Sequence, residues 1–189
     1  MIKDSPYLSN VDDCVLVVVD VQEKLVSVMP KGVKERVIER VTILLTGAKA
    51  LSVPVVVTEQ YPQGLGPTES ELVKQFPEDT LVVEKTAFSA TGVPEFVQKL
   101  EQTGRKQVVL VGMETHICVL QTALALQAQG FQVFVVEDAV SSRSKANQYN
   151  ALQRLRGAGV IVSNVESVIF EWLEDASQEN FKKLAPLIL

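Results

Sequence analysis

Residues 14–22 read C-V-L-V-V-V-D-V-Q. An extended strand with one wet face would alternate apolar and polar residues. Positions 14–19 show no polar residue at either parity, so both faces must be covered, as in a parallel strand lying under helices. Five further short runs repeat the pattern: Val53–Val57 (VPVVV), Thr80–Val83 (TLVV), Gln107–Val111 (QVVLV), Gln132–Val136 (QVFVV) and Val160–Ser163 (VIVS). Between them lie segments with helical spacing. In Val33–Leu51, residues Val33, Val37, Val41, Leu44, Leu45 and Ala48 form one apolar stripe. Val93–Gln102, His116–Gln129, Asn147–Arg156, Ser167–Asp175 and Gln178–Leu184 are the other helices expected. Strand and helix alternation of this kind gives a doubly wound, Rossmann-like α/β fold. The strand order expected is 3-2-1-4-5-6, with ligands beyond the carboxyl ends of the strands. That edge carries Asp20, 58–66, 85–90, 112–118 and 138–144.

The 189 residues suit one domain spanning 1–189, and 47% hydrophobic residues supply a core. A net charge of −5 without a Lys/Arg cluster argues against nucleic acid. Residues 1–13 (MIKDSPYLSNVDD) lack the apolar stretch of a signal peptide, and no apolar run is long enough to span a bilayer. The cytoplasm is therefore expected, and no membrane partner. Two cysteines make no disulfide framework, and a single histidine excludes most His-based metal sites. No metal and no cofactor is expected. The first strand runs into DVQEKL, so a G-x-G-x-x-G fingerprint is missing. Neither a P-loop nor a G-x-S-x-G elbow occurs.

Cys118 ends the stretch VGMETHIC, a strand and sharp turn leading into an apolar helix. A thiol at a helix N-terminus faces the positive end of the helix dipole and free N–H groups, both of which favour the nucleophilic thiolate. A small buried hydrophobe is the alternative. Cys14 opens the first strand, roughly 20 Å from the opposite edge, and reads as core. His116 stands two residues before Cys118, where helical neighbours do not face each other, so a Cys–His dyad is not expected. Asp20 ends one apolar strand and Lys85 another. Alone, each reads as a helix cap or a solvated strand end. Together an acid, an amine and a thiol fall on the ligand edge of one sheet.

At these residues the sequence resembles the isochorismatase-like cysteine hydrolase family, which includes nicotinamidases and N-carbamoylsarcosine amidase. Residues 17–22 (VVVDVQ), 84–90 (EKTAFSA) and 112–119 (GMETHICV) match its three motifs in order. Residues 121–125 and the EDA step at 137–139 also fit. The resemblance implies a three-layer α/β/α sandwich around a six-stranded parallel sheet. It implies Cys118 as nucleophile with Asp20 and Lys85 as partners, and a cis peptide at Met113–Glu114. It further implies an oxyanion hole from the backbone N–H groups of Glu114 and Cys118. Gln22, Thr86, Phe88 and Thr115 are candidate substrate-binding residues. Nicotinamidases carry an Asp/His metal site after the second strand, whereas residues 58–66 here read TEQYPQGLG. Isochorismatase itself lacks the cysteine. Neither substrate is therefore expected, and a small amide or related acyl compound is. A silent binding module on the same fold is the alternative. The apolar helix near Cys118 and the family's habit together suggest a homo-oligomer.

Overall fold

The computed structural model describes residues 5–188; Met1 to Asp4, part of the segment read above for targeting, and Leu189 lie outside them. The strands are β1 (Cys14–Val19), β2 (Val55–Gln60), β3 (Leu81–Lys85), β4 (Gln107–Met113), β5 (Gln132–Ser141) and β6 (Ile161–Ser163). They form one parallel sheet in the order β3-β2-β1-β4-β5-β6. The helices are α1 (Glu23–Ser27), α2 (Val33–Leu51), α3 (Pro62–Leu65), α4 (Ser70–Val73), α5 (Pro94–Gln102), α6 (Leu120–Ala128), α7 (Lys145–Gly157), α8 (Val165–Leu173) and α9 (Phe181–Leu184).

The all-apolar strands feed two separate cores by alternation. Leu16, Val18, Val55, Val57, Val109, Val111 and Phe134 pack under α2 and α8, around Leu44, Leu45, Ile169 and Trp172. Val15, Val17, Val19, Val56, Val108, Leu110 and Val135 pack on the other face against Phe96, Leu100, Ala123, Leu126 and Leu155 from α5, α6 and α7. Burying each such side chain contributes about 1.5–3 kcal/mol. This is the three-layer sandwich expected, and it explains why positions 14–19 of β1, buried on both faces, are all apolar.

Three elements differ from the sequence reading. β5 runs five residues past Val136. The polar pair Glu137–Asp138 does not stop the strand but sits in a bulge: Leu110 pairs with Val135, yet Gly112 pairs with Val140. Arg36 of α2 holds this bulge by donating to the carbonyls of Asp138 (2.6 Å) and Val140 (3.4 Å). The expected helix 116–129 begins as a π-helical turn, Thr115–Val119, before α6 takes over. The short helices α1, α3 and α4 were not anticipated, because four or five residues carry too little periodicity.

The sheet's switch point lies between β1 and β4, where Val19 pairs with Gly112. Gly112 has φ +112, and a Cβ there would stand 2.0 Å from the carbonyl oxygen of Val19. Only glycine lets the two strands meet at the edge where Asp20 and the cysteine turn emerge. Gly130 also has positive φ (+90) but faces open space. In urea unfolding, Gly130→Ala should cost about 1 kcal/mol, and Gly112→Ala at least about 2–3 kcal/mol. Equal costs would remove the close-approach argument.

Candidate active site

Asp20 lies one residue past β1, in a left-handed conformation (φ 51), and is fully buried. A carboxylate placed there must be compensated or it will neutralise. Its Oδ1 accepts from the Thr58 hydroxyl at 2.6 Å, and its Oδ2 accepts from Lys85 Nζ at 2.7 Å. Lys85 reaches it from the end of β3, two strands away, across β2. Neither side chain has any exposure. Lys85 also donates to Gln60 Oε1 at 2.7 Å and to the carbonyls of Phe88 (3.2 Å) and Ala87 (3.3 Å).

Cys118 sits in the π-helical turn with 6% of its surface exposed. Burial, reinforced by the nearby charge of Asp20, pushes its thiol from an ordinary 9.0 up to about 12, while Lys85 pulls in the opposite direction. The helix-end argument from sequence therefore needs correction. Burial and the Asp20 charge favour the protonated thiol, against the thiolate that the helix-end position alone favours. Cys14, buried in the opposite half of the sheet, is likewise pushed to about 12, by burial above all. Both cysteines are free.

The turn around Cys118 is anchored from the far side. The Met113–Glu114 peptide is cis, as the resemblance implied. The buried Glu114 carboxylate accepts from the backbone N–H of Arg143 at 2.9 Å and from its Nε at 3.1 Å. His116 Nδ1 meets the Ser142 hydroxyl at 2.9 Å, and its Nε2 lies 3.4 Å from Asn147 Nδ2. The ring nitrogens thus face Ser142, in the loop after β5, and Asn147, in the first turn of α7, rather than the thiol.

The candidate substrate residues divide. Thr115 is fully buried, and its hydroxyl has no hydrogen-bond partner among the described residues. Thr86 lines a cavity of about 260 Å³ together with Tyr61, Pro62, Lys85 and Ala87. The Phe88 side chain is 55% exposed at the surface. Gln22 is fully buried, and its amide is spent on backbone: it donates to the carbonyls of Gly66 (2.7 Å) and Gln60 (3.0 Å) and accepts from Gln60 N–H (2.7 Å). Its position is that of a clamp under the 60–66 loop. Thr58, Gln60 and Arg143 were not singled out from sequence, although 58–66 was marked as part of the ligand edge. The signal was the run of polar residues Thr58, Glu59 and Gln60 directly after an all-valine stretch. Among the described residues, no three His, Cys, Asp or Glu side chains gather as a metal-ligating group.

Comparison with known proteins places this geometry. Residues 14–167 match the isochorismatase domain family. A secreted isochorismatase effector, Isc1, of Phytophthora sojae is 44% identical over 156 residues, covering 80% of this chain and 74% of that protein. A Caenorhabditis elegans structure described as MAR1 ribonuclease superimposes with a TM-score of 0.90 at 36% identity, covering 96% of this chain and 92% of that one. The YcaC gene product of Escherichia coli, described as an octameric hydrolase of unknown specificity, gives 0.89 at 28% identity, covering 95% and 88%. By its sequence match and its six-stranded parallel sheet, this chain belongs to the isochorismatase domain family, within the isochorismatase-like hydrolases.

Proposed function

We propose that the protein is a cysteine-dependent hydrolase of a small amide or related C–N or acyl compound, working through Asp20, Lys85 and Cys118 in one isochorismatase-like domain, 1–189. The observation that carries this reading is the buried 2.7 Å contact between Lys85 and Asp20, with both charges acting on the Cys118 thiol. As sulfur attacks the carbonyl carbon, Asp20 takes the thiol proton and the carbonyl electron pair moves to oxygen. The backbone N–H groups of Glu114 and Cys118 receive that oxyanion, a donor pair in which each member is worth ~3 kcal/mol. Asp20 then returns the proton to the leaving nitrogen as the C–N bond breaks, leaving a thioester. Water, deprotonated by Asp20, cleaves the thioester and regenerates the thiol. Thr115 is assigned to the substrate site because its buried hydroxyl is unsatisfied; Thr86 belongs to the cavity wall.

A silent small-molecule-binding or interaction module on the same fold is the second reading. The depth of Cys118 and its raised pKa favour it, since a protonated buried thiol is a poor nucleophile at neutral pH. A ribonuclease activity, raised by the name of the C. elegans neighbour, finds less support: the net charge is −5 and the single histidine is tied to a loop. Two buried free thiols suit a reducing compartment, so we place the protein in the cytoplasm, although the P. sojae relative is secreted by name. Among the described residues no helix is long and apolar enough to cross a membrane.

A library of small amides, esters and carbamoyl compounds should give turnover with the wild type and none with Cys118→Ala. Tight binding without turnover would instead establish the silent module. With a substrate in hand, Asp20→Asn should slow acylation ~100-fold or more. Lys85→Ala should also impair it, and the two effects should not add, because the residues act as one unit.

Iodoacetamide labelling read by peptide mapping should modify Cys118 faster than Cys14, because both thiols are held near 12 but only Cys118 keeps some exposure, 6% against 0%. Because both charge and burial hold the Cys118 proton on, the thiolate fraction grows about tenfold per pH unit below its pKa. The rate should therefore still be climbing at pH 10. A plateau near pH 7 would mean a pre-formed thiolate.

We also propose a homo-oligomer. Ile117 and Leu124, in the π-helical turn and α6, are only partly buried where they pack against the core, and the E. coli neighbour is octameric by its description. Light scattering at micromolar concentration should give a mass well above 20.7 kDa. A purely monomeric species would overturn the assembly.

A further inference from the structure

The Lys85 ammonium has three N–H donors and four protein acceptors around it. The two short bonds, 2.7 Å each, go to Asp20 Oδ2 and Gln60 Oε1, and the third donor is left to share between the carbonyls of Ala87 (3.3 Å) and Phe88 (3.2 Å). No donor remains for a substrate. Lys85 must therefore act through Asp20 and through its charge, and its effect depends on what holds the ammonium in place.

Gln60 is the side chain placed to do that. Its Oε1 accepts from Lys85 while its Nε2 donates to the Thr86 carbonyl at 2.7 Å. The amide cannot be reversed, since an ammonium only donates and a carbonyl only accepts. Its backbone is gripped on both sides by the Gln22 amide, at 2.7 Å on the N–H and 3.0 Å on the carbonyl. The pairing of Gln60 with Lys85 across β2 and β3 fixes the height of the two residues.

We infer that Gln60 is a positioning residue, held by Gln22, that pins the Lys85 ammonium onto Asp20. This rests on the cysteine-hydrolase reading, but it is tested without any substrate. The charged groups acting on the thiol are Asp20, at the end of β1, and Lys85, at the end of β3.

The first measurement is the lysine ammonium resonance of nitrogen-15-labelled protein. A buried, fully bonded ammonium exchanges slowly with water, so the wild type should show a protected signal that is absent from Lys85→Met. Gln60→Met keeps the volume but removes the acceptor, and should broaden or lose that signal. Gln60→Glu keeps an acceptor and should retain it. The second measurement is Cys118 alkylation at pH 9. It should fall roughly three- to tenfold in Gln60→Met, because the charge that favours the thiolate is no longer held nearby. A folded Gln60→Met with the wild-type ammonium signal and the wild-type alkylation rate overturns the proposal. Should Gln60→Met fail to fold, the other two proteins decide: a wild type without a protected Lys85 ammonium, or a Gln60→Glu that has lost it, also overturns it. Failure of the amide library to turn over would sink the hydrolase reading and leave these outcomes untouched.

Discussion

A carboxylate and an ammonium lie in contact, without exposure, at the end of an all-apolar strand. Taking two charges out of water costs several kcal/mol per ion, and mutual attraction repays this only when the remaining hydrogen-bonding capacity is satisfied. Around Asp20 and Lys85 it is: Thr58 takes one carboxylate oxygen, while Gln60 and two backbone carbonyls take the rest of the ammonium. That compensation works only if β1, β2 and β3 end at matched heights. The register delivers this, with Val19 beside Thr58 and Gln60 beside Lys85. The apolar strands are thus more than a core. They are the rigid frame that makes a costly ion pair reproducible.

The opposite wall of the site is built on different terms. The cysteine turn is a π-helical segment rather than the start of a regular helix, an irregularity often found at functional sites. Its outer side is held by the loop after β5, through Arg143 to Glu114 and Ser142 to His116. That loop is in turn aimed by the β5 bulge, whose carbonyls Arg36 ties to α2. The strand frame holds the acid and the amine, and a network of polar side chains holds the thiol.

How much of this could be read in the sequence follows from how local each feature is. The central strands were legible because burial on both faces leaves a nearly continuous apolar run, as in β1 and β4, while the edge strands β3 and β6 were legible as short β-branched runs. The ligand edge followed from their order. Asp20 and Lys85 were legible only together with Cys118: each alone reads as a helix cap or a solvated strand end, but an acid, an amine and a thiol on one ligand edge do not. Gln60 was not, because a polar residue at a strand end looks like a loop residue until its pairing with Lys85 is known. The end of β5 was missed for a related reason: Glu137 and Asp138 read as a stop, and only the three-dimensional bulge lets the strand resume. The protonation of Cys118 was misjudged because the helix end is local in sequence, whereas the burial and the Asp20 charge that outweigh it are not.

The junction of β1 with β4, where Gly112 meets the Val19 carbonyl, has a bearing on how the molecule is made. Residues 14–85 contain β1, β2 and β3, with Asp20, Thr58, Gln60 and Lys85 all among them. During synthesis this part leaves the ribosome first and carries both charges of the ion pair, with the Ala87 and Phe88 carbonyls that complete the ammonium's bonding directly behind it. Until β4 arrives, however, one edge of β1 has no neighbour and Asp20 is open to water, so the pair gains little from forming. Docking of β4 closes that edge and delivers Cys118 in the same event. Burial of the charges and arrival of the thiol are one step, so a nascent half-chain carries the acid and the amine with nothing for them to act on.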